Sequence, residues 1–163
     1  MPVAVVLLAT VAVSFMLVSS GPLGRGDDSD YAVRVFDGVV AYDRVLASRI
    51  SWVAEPEDVW GCTFAIVELP AAAALTPGKR ANGEVAWYLE WGGDWKKTPV
   101  DHPGLHQRDT IRDCASNWSP DVETRLLSAI SEPGSFYARD GVGETVYVYS
   151  AKLRIAARIR FGD

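Results

Sequence analysis

Apolar and polar residues alternate along much of this chain, most plainly where Val85, Trp87, Leu89 and Trp91 interleave with Glu84, Ala86, Tyr88 and Glu90. That period of two is the pattern of a half-buried strand. Gly92-Gly93 follows, and paired glycines accept the positive φ angles of a two-residue hairpin turn. The turn would pair Trp91 with Asp94 and Glu90 with Trp95. In this phasing Trp87 and Trp91 point into a core, and Tyr88, Glu90 and Trp95 point out of it. Strand patterns also mark residues 31–36 ahead of an Asp37-Gly38 turn signal into residues 39–42, and residues 60–69, which carry Cys62. Residues 45–54 fit either a helical stripe or a strand face, and their β-branched and aromatic content favours extended structure up to Pro56. Residues 136–139 and 145–150 read as strands across Asp140-Gly141. In residues 152–161, Leu153, Ile155, Ala157, Ile159 and Phe161 oppose Lys152, Arg154, Arg158 and Arg160, which predicts one core face and one cationic face.

Helical signals are few. Ser119-Pro120-Asp121-Val122-Glu123 places a cap, a first-turn proline and early acidic residues in the order of a helix start. Val122, Leu126, Leu127 and Ile130 supply its apolar stripe, and Glu132-Pro133-Gly134 stops it. Pro70 and the four alanines after it predict a short second helix ended by Pro77-Gly78. Residues 96–118, broken by Pro99, Pro103 and Gly104, read as a long irregular loop. The expected fold is therefore α+β and sheet-dominated, a mostly antiparallel β-domain with one proper amphipathic helix. No internal repeat or second domain is visible.

An N-terminal apolar helix is expected ahead of that domain. Residues 2–18 carry no charge, and the first charged side chain is Arg25. A helix of that length spans ~25 Å, short of the ~30 Å hydrocarbon core, and continuing to Leu23 closes the gap. The rival reading is a signal peptide cut after Val18-Ser19-Ser20, near Gly21, although the usual basic start is missing. Three segments follow: residues 1–20 as anchor or signal, 21–30 as a flexible linker, and 31–163 as an extracytoplasmic β-rich domain, either membrane-held or secreted. The linker contains Arg25-Gly26-Asp27, a tripeptide too short to carry a function by itself. Cys62 and Cys114 are the only cysteines, and in an exported domain they are expected to form a disulfide. With no C-x-x-C and no third cysteine, a zinc cluster or a thioredoxin-type site is not expected.

Composition narrows the picture further. The 163 residues are 48% hydrophobic and 23% charged, so they form a folded chain and not a disordered one. A net charge of −5 excludes a protein whose main partner is nucleic acid. His102, His106 and Asp109 would share one face of a helix and could ligate a divalent metal, but Pro103-Gly104 interrupts that helix. The same histidines with Asp101 could serve a small hydrolase. No G-x-S-x-G, G-x-x-x-x-G-K, G-x-G-x-x-G or H-E-x-x-H motif supports catalysis, and no cofactor is implied. Tyr88, Glu90 and Trp95 are the candidates for ligand binding, carbohydrate included, since flat aromatic faces stack on sugar rings. Lys152, Arg154, Arg158 and Arg160 are the candidates for contact with an acidic partner. The function expected from these readings is a non-catalytic binding domain, an accessory subunit of a membrane or envelope complex held through residues 2–23. The alternatives are a secreted carbohydrate-binding or inhibitor module and a hydrolase.

Overall fold

The computed structural model describes residues 29–50, 61–80, 85–99, 105–140 and 144–162. Strands β1 (Arg44–Arg49), β2 (Cys62–Glu68), β3 (Lys96–Lys97), β4 (Phe136–Arg139), β5 (Thr145–Ser150) and β6 (Ile155–Phe161) form one antiparallel sheet in the order β1-β2-β6-β5-β4-β3. Helices α1 (Ser29–Phe36), α2 (Leu105–Cys114) and α3 (Pro120–Ser131) cover it. The antiparallel α+β expectation holds at that level, with more helix than expected.

Strand parity sorts the core into two halves. On one face, Phe64 and Ile66 of β2, Val146 and Val148 of β5, and Ile155, Ala157 and Ile159 of β6 meet Ile111 and Cys114 of α2 and Val122, Leu126, Ala129 and Ile130 of α3. On the other, Ala65 and Val67, Tyr147 and Tyr149, and Ala156 meet Tyr31, Ala32, Val35 and Phe36 of α1 together with Trp91. Every residue of β5 is buried, so the centre of the sheet is covered on both sides. The α3 start forms as its sequence predicts: Ser119 Oγ accepts from the Val122 N–H at 3.4 Å. The expected disulfide also forms, tying the end of α2 to the start of β2 with Cα atoms 5.7 Å apart.

Several local expectations are overturned. Residues 31–36 are helical, because Tyr31, Ala32, Val35 and Phe36 make a stripe that α1 buries whole while Val33 stays exposed. So short a run satisfies both periods, and packing decides. The Asp37-Gly38 signal ends this helix instead of turning a hairpin: the Val39 and Val40 N–H groups both donate to Phe36 O, and Gly38 takes φ 69°. The alanines after Pro70 make only a turn, closed by Ala73 N–H to Pro70 O at 3.1 Å. No hairpin forms at Gly92-Gly93. Trp87–Leu89 is a single 3-10 turn, and the chain then runs irregularly to β3. Gly92 has φ 77°, and a Cβ there would lie 2.7 Å from the Trp95 indole, so glycine serves close ring packing here, not a hairpin turn. Part of the loop read at residues 96–118 is α2.

The last strand begins at Ile155, with Lys152 and Arg154 in the preceding turn, where Arg154 has φ 52°. Nor is its second face a solvated cationic one: Arg158 is 1% exposed. Residues 1–28, including the apolar segment, and residues 51–60 and 101–104 with His102 lie outside the described residues. Among the described residues no helix is long and apolar enough to cross a membrane.

The disulfide closes a separation of 52 residues. Replacing both cysteines with alanine should lower unfolding free energy by about 4 kcal/mol, the loop-closure contribution for that length. Urea denaturation of the double variant against the oxidised parent measures it, and a loss under about 1 kcal/mol would mean that the denatured chain is already constrained.

Candidate functional site

The polar cluster on the α1 side of the sheet follows directly from strand parity. Even-numbered residues of β6 face α1, and their neighbours are fixed by register: Ala65 of β2, Arg158 and Tyr147 of β5 form one row, and Thr63, Arg160 and Thr145 form the next. Ala65 leaves room beside Arg158, and Tyr31 of α1 fills it. Arg158 donates from Nη1 to the Tyr31 hydroxyl at 2.7 Å, and its Nη2 reaches Trp87 O at 3.5 Å. Its guanidinium carbon lies 5.9 Å from the centre of the Tyr147 ring. Tyr31 passes its own proton on, donating to Tyr88 O at 2.9 Å. The 3-10 turn is thereby pinned to the sheet through two backbone carbonyls.

Above that turn stands Trp87, 57% exposed. Its underside is not solvated: the Arg160 guanidinium lies 4.7 Å from the ring centre, and Arg160 is itself held by Glu144 at 2.7 Å. A cation fixed beneath an indole gains from the ring quadrupole and stiffens its orientation. Next to the turn, Trp91 is fully buried against Phe36, Tyr147 and Trp95, with centroids 4.8, 5.8 and 5.4 Å away.

Burial sets the protonation of this cluster. It pushes the Tyr31 phenol up to about 12, because the phenolate would lose water that the nearby Arg158 charge only partly replaces. Tyr147 is raised as well, first by burial and further by the Asp140 and Glu90 carboxylates, against the lowering effect of Arg158. Both phenols are therefore neutral hydrogen-bonding groups through the ordinary pH range.

The residues singled out in the sequence do not form one surface. Tyr88 and Glu90 are half-buried in the pinned segment, and the Tyr88 ring stands at 88° to Trp87. Trp95 is half-buried too: its Nε1 donates to Gly78 O at 3.3 Å while its ring packs on Trp91 and Tyr147. Trp87, expected in the core, is the exposed ring. The four cations separate into two pairs. Lys152 meets Glu132 at 3.5 Å, and Arg154 meets Asp43 at 2.8 Å, both from the β5–β6 turn, whereas Arg158 and Arg160 lie under the Trp87 segment. Asp109 is half-buried on α2, His106 lies on that helix with its side chain outside the description, and no set of three metal-ligating side chains occurs among the described residues.

No motif in the sequence marks Tyr31, Tyr147 or Glu144 as site residues, and its alternation marks Trp87 as core. Tyr147 shares parity with Tyr149 on β5, which was a usable signal, but its row partner Arg158 becomes visible only with the register. No protein-family model, curated protein or solved structure matches the chain.

The Tyr31 shift carries a pH consequence. Its folded pKa is raised above the unfolded value of about 10, so its contribution is complete below that value and is lost as pH rises through about 12. Stability should fall between those limits by about 3 kcal/mol more in the parent than in Tyr31→Phe. Urea midpoints along an alkaline series test this, and a parallel decline in both proteins would assign the loss to other groups.

Proposed function

We propose that this chain is an exported, non-catalytic binding domain, held at the membrane through residues 2–23 and serving as an accessory subunit of a membrane or envelope complex. The observation that carries the reading is Trp87, a large aromatic side chain left mainly in water yet braced from below by Arg160 and Glu144. Interfaces concentrate their binding energy in such anchors, since a ring ordered in advance loses little entropy on contact. Its surroundings support the same reading. Among the described residues the exposed large apolar side chains are Val33, Leu75 and Trp87. Val33 lies on the outer side of α1. Leu75 follows Ala74, whose carbonyl accepts the Tyr149 hydroxyl on that same side of the sheet. All three therefore belong to the layer over the α1 face.

The disulfide supports an oxidising compartment, consistent with an apolar segment that would export the domain. The N-terminal helix, its insertion in a bilayer and the extracytoplasmic location belong to this proposal. Protein contact suits the geometry better than sugar stacking, because the Trp87 and Tyr88 planes are perpendicular and offer no common flat face.

Extraction of the native protein in mild detergent, followed by intact mass and identification of what co-purifies, tests the reading. A retained residue 1–20 segment and a stoichiometric partner are expected. Trp87→Ala should release that partner while costing the domain under about 1 kcal/mol, because the side chain is already exposed. A cleaved chain that is alone, or a complex indifferent to Trp87→Ala, would overturn it.

A further inference from the structure

Arg158 is under-used where it stands. Its guanidinium has five N–H donors. The structure engages them with the Tyr31 hydroxyl and, at 3.5 Å, with Trp87 O, with the Tyr147 phenol close by, while the buried Nε has no hydrogen-bond partner among the described residues. No ion pair joins Arg158 to a carboxylate among those residues. Glu144 is taken by Arg160, and Asp140 and Glu90 act on Tyr147 from a distance without pairing with Arg158. A buried cation ordinarily meets its counter-charge in direct contact, because distant charges do not replace the lost water.

The cover over Arg158 is light. It is the 3-10 turn Trp87–Leu89, none of whose residues is buried. Tyr31 to Tyr88 O, Arg158 to Trp87 O and Arg160 under Trp87 hold it from below, and the half-buried Tyr88 and Leu89 pack against the apolar cluster beside it. At 3.5 Å the Arg158 bond to Trp87 O is the longer of those two hydrogen bonds. A carboxylate oxygen placed there would give a shorter, charge-assisted bond, and its second oxygen would reach the neighbouring donor in the paired geometry that guanidinium favours.

We infer that Arg158 is the receptor for a carboxylate carried by the binding partner, which enters beside Trp87 and displaces Trp87 O from the guanidinium. The inference rests on the partner reading above in assigning the source of the carboxylate, and on Arg158 alone in assigning the site. The stem that bears the carboxylate lies against the Trp87 indole. The recognised feature is thus an acidic group beside an apolar one, and Arg160 stays bound to Glu144, steadying the ring.

Acetate is the probe, added to the purified full-length protein in detergent with chloride replaced at constant ionic strength. The Arg158 Nε–H signal, assigned from its loss in Arg158→Gln, should move and saturate by about 100 mM acetate, and Tm should rise by about 3 °C in the parent and not in that variant. A stationary Nε–H signal over the same range overturns the inference. If Arg158→Gln does not fold, Tyr31→Phe supports the assignment, since it removes one of the guanidinium's contacts and should shift that one signal before any acetate is added. The partner supplies the second arm. A complex lost in Trp87→Ala but kept in Arg158→Gln overturns the carboxylate role and leaves the partner reading standing. An acetate response in a protein whose complex is indifferent to Trp87→Ala supports the site and removes the partner as its source.

Discussion

The guanidinium of Arg158 is the junction on which this fold's less regular half depends. From the centre of the sheet it reaches Tyr31, 127 residues earlier on α1, and Trp87, 71 residues earlier on the turn above. Burying that charge is unfavourable in itself, and hydrogen bonds to the Tyr31 hydroxyl and to Trp87 O, which also accepts from the Glu90 N–H, offset part of the cost. Tyr31 has the complementary role, accepting from Arg158 and donating to Tyr88 O. Removing either partner would leave the other buried without its bond, which costs more than the bond contributes.

The two layers over the sheet are attached by different physics. On the α2 and α3 side, contact is made by apolar side chains at helical spacing, secured by a capped helix start and the disulfide. On the α1 side much of the cover is irregular backbone, whose carbonyls have no ladder to join. Side chains take that place: Tyr149 donates to Ala74 O, Trp95 to Gly78 O, and Arg80 to the Arg34 and Asp37 carbonyls at the end of α1. Such polar pins fix position without filling volume, so aromatic rings fill it. Trp91 sits where α1, β5 and the irregular segment converge.

The elements legible in the sequence were those with a single physical solution. The α3 start carried both a cap and a proline, and β4 and β5 sat between clear turns, so each formed at its expected residues. Residues 31–36 were ambiguous because six residues cannot separate a period of two from a helical stripe, and only the sheet surface beneath decides between them. The tryptophan segment failed for a different reason. Its alternation is genuine, but among the described residues no partner strand lies alongside, and the carbonyl pins from Tyr31 and Arg158 hold it in another shape. Those pins come from residues far away in the sequence, so no local pattern could reveal them. The candidate site was legible only in fragments: Arg158 and Arg160 by type, Tyr88 and Glu90 by neighbourhood, and Trp87 not at all.

The place proposed for a binding surface is the one that the other described surfaces leave. Strand addition is discouraged at both edges of the sheet. β3 is two exposed lysines long, and β1 carries a register shift between Val45 and Ala47 with arginines at its ends. Short, charged and bulged edges are how sheets avoid unplanned pairing. Over α2 and α3, no large apolar side chain is exposed among the described residues. What is left among the described residues is the α1 layer, where Val33, Leu75 and Trp87 face water. Rigidity is the point of that arrangement: an apolar side chain on a mobile loop loses entropy when a partner fixes it, and one braced by Arg160 and Glu144 has already lost it on folding.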